Sequence, residues 1–335
     1  MLITIPSLNQ AAHNGPRPIN LNTDIPQIVR LLETVFGTTL DDEGRRIFSG
    51  MDGQKPAFLW RLNPNANRLS LGFVWEEDGR IVGNATVLKS RTNGRYLVVN
   101  VAVYPDYRRR GIAGNLMEYV AQMIEERGGR QILLQVVKSN QAALQLYQSL
   151  HYRTIGSMTT WYAPVSHIRE LSPERGLAAG PEMTAEPGIA IRKLGSDEWQ
   201  TAYEFDKLAL PSDLNWPDLP RPDVYKNTMW NRVLNFFNGR QNNTWIAVNG
   251  QNEMIGLVNI LSEWGRTHLA AIRIHPDWRG QLERPLTAVL THHLRRLPRR
   301  NVRIDHPDDD EPVNQLLSEA GFRPRRTLTH MRLDL

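Results

Sequence analysis

Apolar residues recur along this chain in blocks whose period switches between helical and extended. Around Ile19 a short strand-like piece precedes Asn22 or Thr23, either of which can cap a helix with Pro26 in its first turn. Ile25, Ile28, Val29, Leu32 and Phe36 then keep helical spacing. "LGFVWEEDGRIVGNATVL" predicts a hairpin, because two β-rich runs flank Asp78-Gly79, a dipeptide favoured in tight primed turns. "YLVVNVAV" (96–103) and "QILLQVV" (131–137) are nearly continuous apolar runs, as expected of strands covered on both faces. Between them Leu116, Met117, Val120 and Ile124 mark one face of a helix that stops at Gly128-Gly129. "NQAALQLYQSL" (140–150) predicts a short helix presenting Ala143, Leu146 and Leu150, and "YRTIGSMTTWYA" returns as strand.

Residues 166–188 lose this periodicity and collect Gly, Pro and Glu, which predicts a linker. Beyond it the pattern starts again. "IAIRKLGSDEWQTAYEF" repeats the first strand and helix, and "TWIAVNGQNEMIGLVNIL" repeats the hairpin. Pro276, Trp278 and Arg279 each follow Pro105, Tyr107 and Arg108 by 171 positions, and Gly321-Phe322 matches His151-Tyr152. A repeat of this size indicates a duplicated domain. The expected organisation is an N-terminal domain over 1–165, a linker over 166–188 and a C-terminal domain over 189–335.

Composition narrows the chemistry. The 335 residues suit two domains, and 41% hydrophobic with 22% charged residues is ordinary for a globular chain. The absence of cysteine excludes disulfides, thiolate zinc sites and cysteine nucleophiles. No apolar run approaches the ~18 residues that span a bilayer, and the N-terminus does not read as a signal peptide, so a cytoplasmic protein is the default. A net charge of +5 suits an anionic ligand.

Three arginines stand in a row in "VYPDYRRRGIAGNL" (103–116), straight after a strand. A helix N-terminus offers free N–H groups and the positive end of the helix dipole, so it favours anions. Those groups belong here to residues 109–114, where Gly111, Ala113 and Gly114 keep side chains small while the arginines add charge at the rim. The stretch lacks the Gly-Lys-Ser/Thr ending of a P-loop and has only two of the glycines of a dinucleotide fingerprint. Three arginines also fall short of a nucleic-acid patch, so nucleic acid ranks last among the partners considered.

Val103-x-Pro105-x-Tyr107-Arg108-x-x-Gly111-x-Ala113, with Asn140-x-x-Ala143-x-x-Leu146-Tyr147 downstream, closely resembles the signature of the GNAT N-acetyltransferase superfamily. The resemblance covers residues 17–163 well and the second repeat only loosely. It implies an α/β fold of two tandem GNAT-like domains, each a mixed, mainly antiparallel central sheet flanked by helices. It also implies acetyl-CoA as acyl donor, no metal, and direct acetyl transfer to an amine acceptor, small molecule or protein. On this resemblance the pantetheine arm meets the backbone of Val101, Ala102 and Val103. The pyrophosphate rests on Arg108, Arg109, Arg110, Gly111, Ile112, Ala113 and Gly114. Asn140 contacts the coenzyme, and Tyr147 protonates the leaving thiolate.

Two positions depart from the pattern. Relatives place a catalytic glutamate where this chain has Leu97 or Gln135, so the base is unassigned. His151 also stands where glycine is usual. The second repeat departs further: "RGQLER" puts Leu282 and Glu283 into the phosphate turn, Leu317 replaces Tyr147 and Asp310 replaces Asn140. The C-terminal copy therefore reads as degenerate, shaping the acceptor side without binding coenzyme. A non-catalytic acyl-CoA sensor is the rival reading, favoured by the missing carboxylates; a homodimer stays open. Three further features carry less. The acidic loop 306–312 could attract a cationic acceptor, and the 211–230 insertion with Trp216 and Trp230 could close over a substrate. His292-His293 lacks metal-ligand spacing.

Overall fold

The computed structural model describes residues 14–37, 71–173, 183–185, 188–215, 222–226 and 240–335. Trp216, Trp230 and residues 174–182 and 186–187 of the expected linker lie outside them. Strand β1 (Gly15–Pro18) leads to helix α1 (Ile25–Phe36). Asp24, not Asn22 or Thr23, holds the cap position, yet its side chain makes no capping bond. Its carboxylate is taken by Arg17 (2.6 Å) and the Asn20 amide (2.7 Å). Burial works to raise its pKa, but those two partners outweigh it and hold the carboxyl below the usual range.

Strands β2 (Leu71–Glu77) and β3 (Arg80–Lys89) close as the expected hairpin, with Asp78 at φ 49° and Gly79 at φ 76° in the primed-turn conformation. Strand β4 (Arg95–Val103), helix α2 (Ile112–Glu125), strand β5 (Gln131–Val137) and helix α3 (Gln141–Ser149) follow. β1 to β4 pair antiparallel in chain order, and β4 pairs with β5 in parallel. Neighbouring strand residues face opposite sides of a sheet. Ile81 and Ala102 accordingly pack with Ile28, Leu31 and Leu32 of α1, whereas Val82 and Val103 pack with Ile112 of α2.

The second repeat carries β7 (Met183–Ala185), β8 (Ile189–Lys193), α4 (Trp199–Ala209), α5 (Pro222–Tyr225), β9 (Arg240–Val248), β10 (Met254–Glu263) and β11 (His268–Ile274). It ends with α6 (Glu283–Leu294), β12 (Asn301–Pro307), α7 (Glu311–Glu319) and β13 (Arg323–Asp334). β11 and β12 are parallel, and β7 to β11 pair antiparallel. The architecture is thus mixed α/β with mainly antiparallel pairing. No helix among the described residues is long and apolar enough to cross a membrane.

The two compact units do not follow the repeat boundary. One draws on residues up to Gln135, Gln141–Arg153 and Met331–Leu335; the other on Val136–Asn140 and Thr154–His330. The last strand of the first repeat, β6 (Arg153–Pro164), pairs antiparallel with β12, Pro164 opposite Asn301 and Met158 opposite Pro307. The chain end goes the other way: Leu335 N–H donates to the Arg130 carbonyl (2.9 Å), and Asp334 accepts from Arg153 (2.7 Å). Each unit therefore contains a strand segment of the other repeat. Val165, closing the expected first domain, and Ile168 and Leu171, inside the expected linker, are buried in the cluster that holds Ile304, Leu286 and Leu317.

Candidate active site

β4 is prepared for something other than a strand neighbour. Its parallel register with β5 runs from Arg95 opposite Gln131 to Val98 opposite Leu134, and Val99–Val103 continue without β5. On the other edge a bulge sets two residues, Asn100 and Val101, against the single Ala85 of β3. Asn100 takes φ 55° there, and its carbonyl accepts from the fully buried Asn84 Nδ2 (2.8 Å). Val101 is half-buried, and Ala102 and Val103 are buried. The bulge and the released edge re-aim the backbone that the resemblance assigns to the pantetheine arm.

The arginine turn then enters α2. Tyr104 N–H bonds to Val82 O (3.0 Å), Pro105–Tyr107 makes one 3₁₀ turn, and Gly111 is the N-cap at φ 76°. No side chain caps the helix. Its first closing bond is Asn115 N–H to Gly111 O (3.0 Å), so the amides of Ile112, Ala113 and Gly114 precede the ladder. A Cβ on Gly111 would meet only Asn115 Nδ2 at 3.7 Å, and one on Gly114 only Leu146 Cδ1 at 3.7 Å. Protein packing thus leaves room at both glycines. Such an open, uncapped, positively polarised turn fits a phosphate.

The three exposed arginines divide their work. Arg108 Nε donates to the Val103 carbonyl (3.2 Å) and ties the turn to β4. Arg110 donates to Asp106 O (3.0 Å), approaches Glu77 (3.7 Å) and lies over the Tyr107 ring (4.9 Å). Arg109, at φ 60°, has no side-chain partner among the described residues. Arg80, which the sequence reading passed over, stacks on Tyr104 (4.8 Å) and braces the turn from β3.

Asn140 is exposed just before α3. Tyr147 is the one fully buried residue of α3; Ala143, Leu146 and Leu150 are only half-buried. Burial pushes the Tyr147 phenol up to about 12, so it stays protonated at any physiological pH. Its ring lies 5.7 Å from that of Tyr152, whose buried hydroxyl has no hydrogen-bond partner among the described residues. Sequence reasoning missed Tyr152 because only the fold reveals the unpaired oxygen. An orphaned hydroxyl costs about 1–3 kcal/mol. Tyr152→Phe is therefore expected to raise the melting temperature of the ligand-free protein; an unchanged or lower value would mean that the hydroxyl has a partner. Leu97 is buried and Gln135 half-buried, so neither strand position supplies a carboxylate.

The second repeat closes the same features upon itself. Gly280, matching Arg109, takes φ 88°, and its N–H donates to Glu283 Oε1 (2.6 Å). A turn amide that would face an anion is thus taken by the chain's own buried carboxylate. Leu282 and Leu317 are fully buried, and Asp310 accepts from Val313 N–H (3.4 Å) and His306 Nε2 (2.9 Å). Between β11 and β12 a cavity of only about 10 Å³ remains, lined by Arg273, Arg279 and His306 among others. Asp206 there takes Arg273 Nε (2.7 Å) and the Tyr225 hydroxyl (2.6 Å). Among the described residues no group of three or more His, Cys, Asp or Glu could hold a metal ion.

The family model "Acetyltransferase (GNAT) family" matches residues 38–152. The ribosomal protein bS18-alanine N-acetyltransferase of Escherichia coli is 38% identical over 120 residues, which cover 34% of this chain and 77% of the relative. Peptidyl-lysine N-acetyltransferase YiaC of the same species is 34% identical over 83 residues, covering 25% of this chain and 50% of the relative. Among solved structures, a GCN5-related N-acetyltransferase from Sphaerobacter thermophilus superposes with a TM-score of 0.54 at 15% identity, covering 95% of each chain. An N-acetyltransferase region of a fungal multi-domain β-N-acetylglucosaminidase gives 0.61 at 13% identity, covering 97% of this chain and 38% of that one. At those identities the structures speak to the fold alone, whereas the bS18-alanine relative is matched closely over most of its own length. By that match and by its motifs, the chain belongs to the GNAT family of acetyltransferases.

Proposed function

We propose that this chain is an acetyl-CoA-dependent N-acetyltransferase whose chemistry resides in its first repeat. The observation that carries the reading is the contrast between two equivalent turns. The turn into α2 carries no carboxylate of its own, while in the turn into α6 the Gly280 N–H is taken by the Glu283 carboxylate. Arg109 and the amides of Ile112, Ala113 and Gly114 hold the pyrophosphate, with Arg108 and Arg110 shaping the turn around it. The bulged end of β4 at Val101, Ala102 and Val103 receives the pantetheine arm, and Asn140 steadies it from the loop before α3. Bound acetyl-CoA supplies an activated thioester.

Tyr147 then acts as general acid. As the N–C bond forms and the C–S bond breaks, its hydroxyl gives a proton to the departing thiolate and regains one from solvent. The amine nitrogen releases its surplus proton to water. The acceptor is an amine, and the names of the two Escherichia coli relatives make a protein α-amine and a lysine side chain the first to try. The missing carboxylates at 97 and 135 favour the alternative of a sensor that binds acyl-CoA without turnover. Thiol release in the presence of peptides with N-terminal alanine or internal lysine separates the two. Release that depends on the amine supports the enzyme; saturable coenzyme binding with no release under any acceptor leaves the sensor.

The same absence fixes the expected pH dependence. With no carboxylate base at 97 or 135, kcat/KM should rise tenfold per pH unit below the acceptor's own pKa and level above it. For an α-amine that bend lies at about 7.7–8.0. Because the Tyr147 phenol is pushed up to about 12, the acid form persists and no alkaline loss is expected up to ~pH 10. A bend near pH 5–6 in profiles taken from pH 6 downward would instead reveal a protein base.

A further inference from the structure

The second unit brings a run of arginines, RRLPRR (295–300), to the side of an exposed hairpin turn. The β10–β11 turn carries Trp264 at its tip, 84% exposed, beside Gly265 at φ 72° and Arg266, whose side chain is 77% exposed. The loop between α6 and β12 contributes Arg295, Arg296, Arg299 and Arg300. The fold pins that loop against the turn. Arg300 donates to the carbonyls of Glu263 and Arg266 (3.2 Å for the latter), and the buried His268 Nε2 lies 3.1 Å from the Pro298 carbonyl. Arg240, at the start of β9, approaches Glu263 from the neighbouring strand (3.7 Å).

Arg240, Arg266 and Arg300 thus meet at the turn that bears the exposed indole, and Arg295, Arg296 and Arg299 lie on the loop that Arg300 ties to it. The carboxylates in contact with them are Glu263, which takes Arg266 (3.0 Å) as well as Arg240, and Glu170, which takes Arg295 (3.3 Å) and His292. Charge of this sign attracts a polyanion. A tryptophan at a hairpin tip adds a flat apolar face that water solvates poorly. Arginines beside a solvent-facing aromatic ring are what a single-stranded nucleic acid requires, since phosphates seek positive charge and every base has a face to stack. An anionic membrane would be met better by an apolar face of several residues, and the other large apolar side chain exposed on this turn and its flanking strands is Leu269.

We infer that this surface binds single-stranded nucleic acid, with phosphates on the arginines and a base on Trp264. It stands apart from acetyl transfer and does not rest on that reading. Fluorescence anisotropy of a labelled uridine oligonucleotide titrated with the full chain tests it. Binding is expected in the ~10⁻⁴–10⁻⁶ M range of sequence-independent association, weakening with salt. Trp264→Ala, an exposed change that leaves the core alone, should weaken it about 5- to 150-fold, the loss of one stacked base. Arg296→Gln with Arg299→Gln should lower the salt slope by about 1.4, at about 0.7 per phosphate contact on a single strand. No anisotropy change at about 50 mM salt, or binding indifferent to Trp264→Ala, would overturn the assignment. Phosphatidylserine vesicles that bind with the same sensitivity to these variants, and displace the oligonucleotide, would also overturn it in favour of a membrane.

Discussion

Gly111→Glu is expected to abolish acetyl-CoA binding while leaving the protein folded. The residue caps α2 at φ 76°, where a side chain costs about 1–2 kcal/mol of backbone strain. Sterically the site tolerates a Cβ, whose one near neighbour is Asn115 Nδ2 at 3.7 Å. The damage is electrostatic. A glutamate there can reach the free amides of the turn, much as Glu283, one position further along in the second unit, takes the turn amide Gly280 N–H (2.6 Å). It would then both occupy the phosphate donors and repel the pyrophosphate. Two like charges ~4 Å apart near a surface repel by about 4 kcal/mol, enough to weaken affinity by roughly a thousandfold. Gly111→Ala separates the causes, since it carries the strain without the charge and should lose far less affinity. Titration calorimetry reads both variants, and an unchanged dissociation constant for Gly111→Glu would remove the phosphate turn from residues 109–114.

Much of this was legible before any coordinates. Period and turn chemistry locate the Asp78-Gly79 hairpin and the helix after Gly111, because both are local. Non-local choices were not. The alternation in "SMTTWYA" specifies a strand but not its neighbour, and β6 pairs with β12 of the other repeat. Val165, Ile168 and Leu171 stand three apart inside a Gly- and Pro-rich stretch, so their burial was hidden by the composition around them. Asp24 reads as an ordinary residue before a helix until Arg17 claims its carboxylate. The arginine run was visible as charge, yet its division into a tether (Arg108), a brace (Arg110) and a cation with no side-chain partner among the described residues (Arg109) depends on the Val103 and Asp106 carbonyls. Glu283 shows the same limit from the other side. Its sign excluded coenzyme from the second turn, but its folding back onto Gly280 needed the geometry.

Tyr147→Phe is the substitution expected to separate chemistry from binding. The ring is buried in α3 against Tyr152, so phenylalanine keeps the packing and removes only the hydroxyl. Coenzyme affinity should change little, because the phosphate and pantetheine contacts assigned above lie on β4 and the start of α2. Turnover should fall by about 10²–10⁴, the usual worth of a positioned general acid. The high pKa sharpens the test. A phenol pushed up to about 12 by burial is a proton source across the whole working range, so the variant should be slow at every pH and not merely shifted along the pH axis. Water can protonate the leaving thiolate in its place, since a thiol near pKa ~8.5 is a tolerable leaving group unaided. Some residual turnover is therefore expected, and it should grow when an acyl donor with a more acidic thiol is supplied. Near-normal turnover in Tyr147→Phe would leave the hydroxyl a bystander and return Tyr147 to the core as a packing residue.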